Sequence, residues 1–230
     1  MADFQFNEKY LSQIPALQIL ITLGYTYLPP AETTKLRGNK ISNVLLEPIL
    51  RQWLAKSNSI KTKGKQHPYT ESNLDEAIRR LKVAATENGL RTANQALYDL
   101  LLLGTSLPQT IDGTSRSYTL QYIDWNNWKN YTFHVTAEYT VERTASKDTA
   151  RPDIVLFVNG IPFAVIECKS PKIDVQEGIS QSIRNQRTDY IPGLFVYSQL
   201  VIATNKNKVK YATIGTPAKF WSIWKEHFLT

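Results

Sequence analysis

Residues 151–171 read RPDIVLFVNGIPFAVIECKSP: two apolar runs divided by Asn159-Gly160, with Asp153 near the start and Glu167 and Lys169 at the end. No other stretch of the chain restricts the fold as much. Asn-Gly between apolar runs is the strongest short-range signal for a β-hairpin, because a tight two-residue turn needs positive φ at both central positions. The segment is fit for burial along its length, yet its ends are ionisable. Leaving a carboxylate or ammonium unpaired inside a core costs several kcal/mol. These charged groups must therefore sit at the rim of a sheet, pair with one another, or hold a cation.

Glu167 and Lys169 are two apart on a strand and leave the same face, while Cys168 points the other way into packing. Two carboxylates converging beside a lysine suit a hard divalent ion such as Mg²⁺. Such an ion generates hydroxide and takes up charge on a phosphate, while the lysine orients the water or steadies the phosphorus. The trio is chemically sufficient for phosphodiester hydrolysis. A regular two-residue turn would defeat it: Val158 would face Ile161 and Asp153 would face Ile166, which puts Asp153 and Glu167 on opposite faces. A shared site needs one extra residue in the ladder, expected between residues 153 and 161. The plainer alternative is a buried hairpin whose charged ends pair in solvent.

Helical patterning dominates residues 1–110. SQIPALQILITLGY has Ser12 as a cap and Gly24 as a stop; SNLDEAIRRLKVAATENG has a capping box of Ser72 and Asp75; TANQALYDLLLLG runs from Thr92 to Gly104. Residues 28–68 are Pro-rich, then apolar in ISNVLLEPILRQWL, then basic in KSNSIKTKGKQH, where Lys56, Lys61, Lys63 and Lys65 lie without apolar period in a basic, flexible loop. Over 111–230 the pattern turns to period two in SYTLQYIDW and YTFHVTAEYTVER, then the hairpin, a helix in KIDVQEGISQSIRNQRTDY, and a strand pair in LFVYSQLVIATN and KYATIGT. A basic turn with Lys206, Lys208 and Lys210 joins that pair. PAKFWSIWKEHF closes as a helix with Phe220, Trp224 and Phe228 on a core stripe. The expected fold is α+β or α/β, a central mixed, largely antiparallel sheet flanked by helices, in one domain with a helical part (1–110) and a sheet core with an inserted helix (111–230).

Composition supports a globular chain that buries a core without staples, at 42% hydrophobic and 20% charged residues. A single cysteine excludes a disulfide framework and any Cys-rich zinc site, and fits a reducing cytoplasm. MADFQFNEKYL is not a signal peptide, and LQILITL is too short to cross a bilayer. The expectation is a cytoplasmic protein with no membrane partner. The surplus of 27 basic over 20 acidic residues, net +7, favours an anionic partner such as nucleic acid. His67, His134 and His227 have no cluster spacing and are assigned no chemistry.

The hairpin segment resembles the PD-(D/E)xK nuclease core in the restriction (R) subunit of type I restriction–modification enzymes. ANQALYDLLLLGTSL, YIDWNNWKNYTFHV, SQSIRNQ, LFVYSQLVIATN and ATIGTPAKFWSIWK follow in the order of that family's N-terminal nuclease region. The resemblance implies a restriction-endonuclease-like core in which Asp153 and Glu167 bind Mg²⁺ with the Cys168 carbonyl, Lys169 is the catalytic lysine, and the substrate is double-stranded DNA. It also implies methylase and specificity subunits as partners. The family's Q-x-x-x-Y element has two counterparts: Gln181, preferred by its distance from Lys169 but followed at the fourth place by Asn185, and Gln186 with Tyr190. Lys206 and Lys208 are candidate DNA contacts, and Glu8 a candidate further acid from the first helix, where Gln13 and Gln18 occupy the helix proper. No G-x-x-x-x-G-K-[ST] occurs, so the ATP-driven motor domains of such subunits are expected to lie outside this stretch. The alternatives are a catalytically silent DNA-binding or assembly module with the same fold, and a stand-alone repair or junction nuclease.

Overall fold

The computed structural model describes residues 9–85 and 89–225. A seven-stranded sheet forms its centre, in the order β1 (Thr26–Tyr27), β6 (Phe133–Ala137), β9 (Ile154–Val158), β10 (Ile161–Cys168), β11 (Leu200–Thr204), β12 (Val209–Ala212), β13 (Ser222–Ile223). The β1–β6 and β10–β11 pairs are parallel and the other four antiparallel, so the sheet is mixed and largely antiparallel, as the sequence leads one to expect. All five residues of β9 are buried because both faces of the sheet are covered. On one face Val135, Ile154, Leu156, Ala164, Ile166 and Cys168 pack with Ala16, Leu17 and Leu20 of α1 (Ile14–Thr22). On the other, Val155, Val165, Val201 and Ala203 join the main core, which takes in Val175 and Ile179 of α6 (Val175–Asn185).

The Asn159-Gly160 turn is present, with φ of 54° and 82°. Its tip is buried rather than solvated. The Asn159 side chain accepts from Thr132 N at 3.0 Å and donates to Tyr122 O at 3.1 Å. Gly160 O accepts from Leu46 N at 2.9 Å, just ahead of α3 (Glu47–Ser57), and a Cβ on Gly160 would lie 2.7 Å from Leu46 O. No side chain fits there.

Several elements differ from the sequence reading. Residues 28–68 hold α2 (Pro30–Leu36), α3 and a two-stranded ribbon of β2 (Ile60–Thr62) and β3 (Lys65–His67), so the basic loop is a hairpin closed by Lys63-Gly64, both at positive φ. Thr70, not Ser72, caps α4 (Glu71–Ala84), accepting from Asn73 N at 3.3 Å. Helix α5 (Leu90–Leu103) starts straight after Gly89 rather than at Thr92, and stops at Gly104 as expected. Its exit leads at once into β4 (Thr105–Ile111), paired with β5 (Thr114–Leu120); Pro108 is tolerated because this ribbon has only two strands.

The run YTFHVTAEYTVER breaks at Glu138, whose φ is 52°, and resumes as β7 (Val141–Glu142), which pairs with β8 (Thr149–Ala150). LFVY is not strand but the end of a short helix, α7 (Pro192–Tyr197), opened by a proline pre-set for the first turn. The closing helix is instead a 3₁₀ turn, Ala218–Phe220, followed by β13. Phe220 and Trp224 are 63% and 55% exposed while Trp221 is buried, so the expected core stripe does not form; Phe228 and His227 lie outside the described residues. Among the described residues no helix is long and apolar enough to cross a membrane.

Candidate active site

The hairpin does contain an extra residue, but on the second arm. Ile161 pairs with Val158 and Pro162 with Phe157; the ladder then resumes with Ala164 opposite Leu156 and Ile166 opposite Ile154, leaving Phe163 as a bulge. The expected offset between residues 153 and 161 is therefore corrected to one between Pro162 and Ala164. One further step in the shifted register sets Asp153 opposite Glu167. Asp153, Glu167 and Lys169 share parity with Val155 and Val165, so all three leave the sheet on the face covered by α6.

Cys168 faces away, with its fully buried side chain in the cluster beneath α1. Its main chain still belongs to the site, because Cys168 N–H donates to Asp153 Oδ2 at 2.7 Å. Lys169 N–H turns to Thr204 O of β11 at 2.7 Å. A trans peptide points its N–H and C=O in opposite directions, so the Cys168 carbonyl is turned away from β11, toward Asp153.

Glu167 has no exposed surface. Gln181 Nε2 donates to its Oε2 at 2.8 Å and Asn185 Nδ2 to its Oε1 at 3.0 Å, two amides one helical turn apart on α6. Helix α6 comes this close because residue 178 is glycine: a Cβ there would lie 3.2 Å from Ala203 Cβ and 3.5 Å from Lys169 Cγ. Asp174 caps the helix, accepting from Gln176 N at 2.9 Å. Burial, and then the neighbouring Asp153 charge, raise the Glu167 carboxyl well above the usual carboxylate range; the Lys169 charge and the Asn185 hydrogen bond pull the other way.

From the opposite side, a five-residue π-helical turn, Lys9–Gln13, runs into α1. Ser12 does not cap that helix. Its hydroxyl donates to Lys169 O at 2.6 Å, and Gln13 Nε2 donates to Asp153 O at 2.8 Å. Ser12, Gln13 and Asn185 make the contacts that sequence reasoning misses. The signal for Asn185 was present, four residues after Gln181 on one helix face; for Ser12 there was none, since its partner lies 157 positions away.

Other expected residues stand elsewhere. Gln186 Oε1 accepts from Gly215 N at 2.7 Å and its amide donates to Ser182 O at 3.2 Å, which ties α6 to the loop after β12. Tyr190 lies under Arg143, whose guanidinium carbon is 4.1 Å from the ring centroid, with Arg184 and Arg187 at 5.5 and 5.9 Å. The structure brings neither to Glu167. Lys206 and Lys208 are exposed on the β11–β12 turn, which Asn205 fastens to the site's end of the sheet by donating to Ile173 O at 2.7 Å. Glu8 lies outside the described residues.

The donor set fits a hard divalent cation. Two carboxylates meet at one end of the sheet, a main-chain carbonyl turns toward them, and the charge of the deeply buried member is opposed by its neighbour's, which a cation relieves. Among the described residues no group of three or more His, Cys, Asp or Glu side chains converges, so water would complete the coordination.

A large mixed sheet flanked by helices is consistent with the α+β arrangement of a nuclease core. The sequence family described as the type I restriction enzyme R protein N terminus matches residues 5–220, and the chain belongs to that family. It is 25% identical over 225 residues to the putative type I restriction enzyme MjaIXP endonuclease subunit of Methanocaldococcus jannaschii, covering 96% of this chain and 21% of that protein. It is 28% identical over 229 residues to the type I restriction enzyme HindI endonuclease subunit of Haemophilus influenzae, covering 95% of this chain and 20% of that protein. With the Staphylococcus aureus (strain COL) type I restriction enzyme SauCOLORF180P endonuclease subunit it shares 34% identity over 110 residues, 48% of this chain and 11% of that protein. The chain thus spans about a fifth of the length of the first two relatives.

Proposed function

We propose that this chain is the Mg²⁺-dependent endonuclease part of a type I restriction enzyme R subunit. It hydrolyses phosphodiester bonds of double-stranded DNA in the cytoplasm, as one domain of a complex with methylase and specificity subunits, with ATP consumed by motor domains outside this stretch. The Phe163 bulge carries the reading, because it sets Asp153 in register with Glu167 and so places both acids and Lys169 on one face. A regular hairpin would have scattered them.

Asp153, Glu167 and the Cys168 carbonyl would hold the ion. Mg²⁺, when bound, lowers the pKa of a water and takes up charge on the scissile phosphate. Lys169 carries a positive charge that acts on the Glu167 carboxylate and is suited to orienting that water or the phosphate oxygen. Gln181 and Asn185 fix the Glu167 carboxylate by one N–H each. Lys206 and Lys208, on the turn beside this end of the sheet, reach for the DNA backbone.

Mn²⁺-soaked crystals test the reading. An anomalous peak between Asp153 and Glu167 is expected in the wild type and its loss in Asp153→Ala. A wild-type site that stays without manganese, its carboxylates paired only with Lys169, would return the fold to a catalytically silent assembly module.

A further inference from the structure

We propose that Ser12 and Gln13 are positioning residues that lock the main chain on both sides of the site, so that docking of the π-helical turn completes the metal-binding geometry. This rests on the nuclease reading above.

The strand ladder stops one residue short of the groups it serves. Strand β9 begins at Ile154, after Asp153, and β10 ends at Cys168, before Lys169. Neither residue has its carbonyl held by the β9–β10 pairing. Two side chains supply further contacts to these carbonyls. Ser12 Oγ donates to Lys169 O at 2.6 Å and Gln13 Nε2 to Asp153 O at 2.8 Å. Both donors are buried, at 4% and 5% exposure, so water does not compete for them. Two backbone–backbone bonds hold the same residues: Lys169 N–H to Thr204 O at 2.7 Å and Glu138 N–H to Asp153 O at 2.8 Å. Lys169 is thereby held at both N–H and carbonyl, and the Asp153 carbonyl accepts twice.

The turn that delivers them is unusual in the right way. A π-helical stretch holds more residues per turn than an α-helix, which brings the directions of neighbouring side chains closer. Consecutive residues 12 and 13 can then reach adjacent chain segments. Helix α1 continues from this turn and packs Ala16, Leu17 and Leu20 beneath Ile154, Ile166 and Cys168, so the clip is anchored on the face opposite Glu167. The acids and lysine are gripped from one side by α6 and from the other by residues 12 and 13.

The test compares Mn²⁺ affinity, measured by calorimetry, with metal-free melting temperature for the wild type, Ser12→Ala, Ser12→Thr and Gln13→Asn. Loss of an outer contact to a metal ligand typically weakens binding about tenfold or more. Ser12→Ala and Gln13→Asn, the latter one methylene too short to reach Asp153 O, are each expected to weaken Mn²⁺ binding about tenfold. Ser12→Thr, which keeps the hydroxyl, should restore it, and melting should change little. Gln13→Asn keeps the test decisive should Ser12→Ala fail to fold. Unchanged affinity in both variants overturns the clip. So does an affinity loss that merely tracks a fall in melting temperature and is not rescued by threonine. A wild type that binds no Mn²⁺ overturns the nuclease reading itself, and the clip with it.

Discussion

Glu167 is the residue on which burial and charge conflict most sharply. Its carboxyl is raised first by burial and then by Asp153, so the folded chain retains a proton at pH values where the unfolded chain has lost it. A state that binds more protons is favoured at low pH; metal-free stability therefore falls as pH rises from the ordinary glutamate value, 4.5, through the raised folded one. Glu167→Gln, which keeps the shape without the charge, should melt above the metal-free wild type at about pH 8, with the gap closing toward about pH 4. Each kcal/mol relieved is worth about 2–4 °C for a chain of this size. Calorimetry at the two pH values checks it; a variant that melts lower at about pH 8 would mean that Glu167 stabilises the fold as an anion. The three ionisable residues of the site were legible in the sequence, because charges at the ends of an apolar hairpin demand an explanation. Ser12 and Gln13 were not, since a hydroxyl and an amide declare no role until tertiary structure supplies their partners.

At the level of the element, β9 and β10 present an unusual register problem. Both faces of the hairpin are apolar, so a one-residue slip exposes nothing and the hydrophobic pattern does not police the pairing. The bulge at Phe163 does. Its place beside Pro162 has a reason: proline lacks the N–H that a regular ladder would use, so an interruption there forfeits little. The sequence could therefore require an extra residue without saying which arm would carry it, because either arm satisfies the parity. Deleting Phe163 should give a regular hairpin that keeps Asp153 opposite Glu167, because the pairs on either side of the bulge already run in step once it is gone. The expected outcome is a chain that keeps its strand signal in circular dichroism and still binds Mn²⁺. Loss of Mn²⁺ binding in that variant would mean that the bulge itself, and not the register alone, positions Asp153 and Glu167. Long periodic elements such as α4 and α6 were legible in outline, whereas β1, β7, β8 and β13 have two residues each and depend wholly on their neighbours.

Across the whole molecule the hairpin links two unlike ends. Its tip is pressed against the start of α3, and Gly160→Ala would place a methyl 2.7 Å from Leu46 O at a φ of 82°. That substitution should lower the melting temperature by an amount equivalent to about 1–3 kcal/mol while leaving Mn²⁺ affinity unchanged, a separation that calorimetry reads directly. Its base carries the acids and, one strand over, the exposed Lys206 and Lys208 in a chain of net charge +7. If these lysines neutralise backbone phosphates, each releases condensed counterions on binding, and log affinity falls linearly with log salt by about 0.9 per contact. Fluorescence anisotropy with a labelled duplex, Ca²⁺ replacing Mg²⁺, should then give a slope reduced by about 1 in Lys206→Ala and again in Lys208→Ala, with no preference for one duplex sequence over another. An unchanged slope in the double variant would show that DNA approaches the carboxylates from some other side of the sheet, and the exposed turn would then be only a solvated connection.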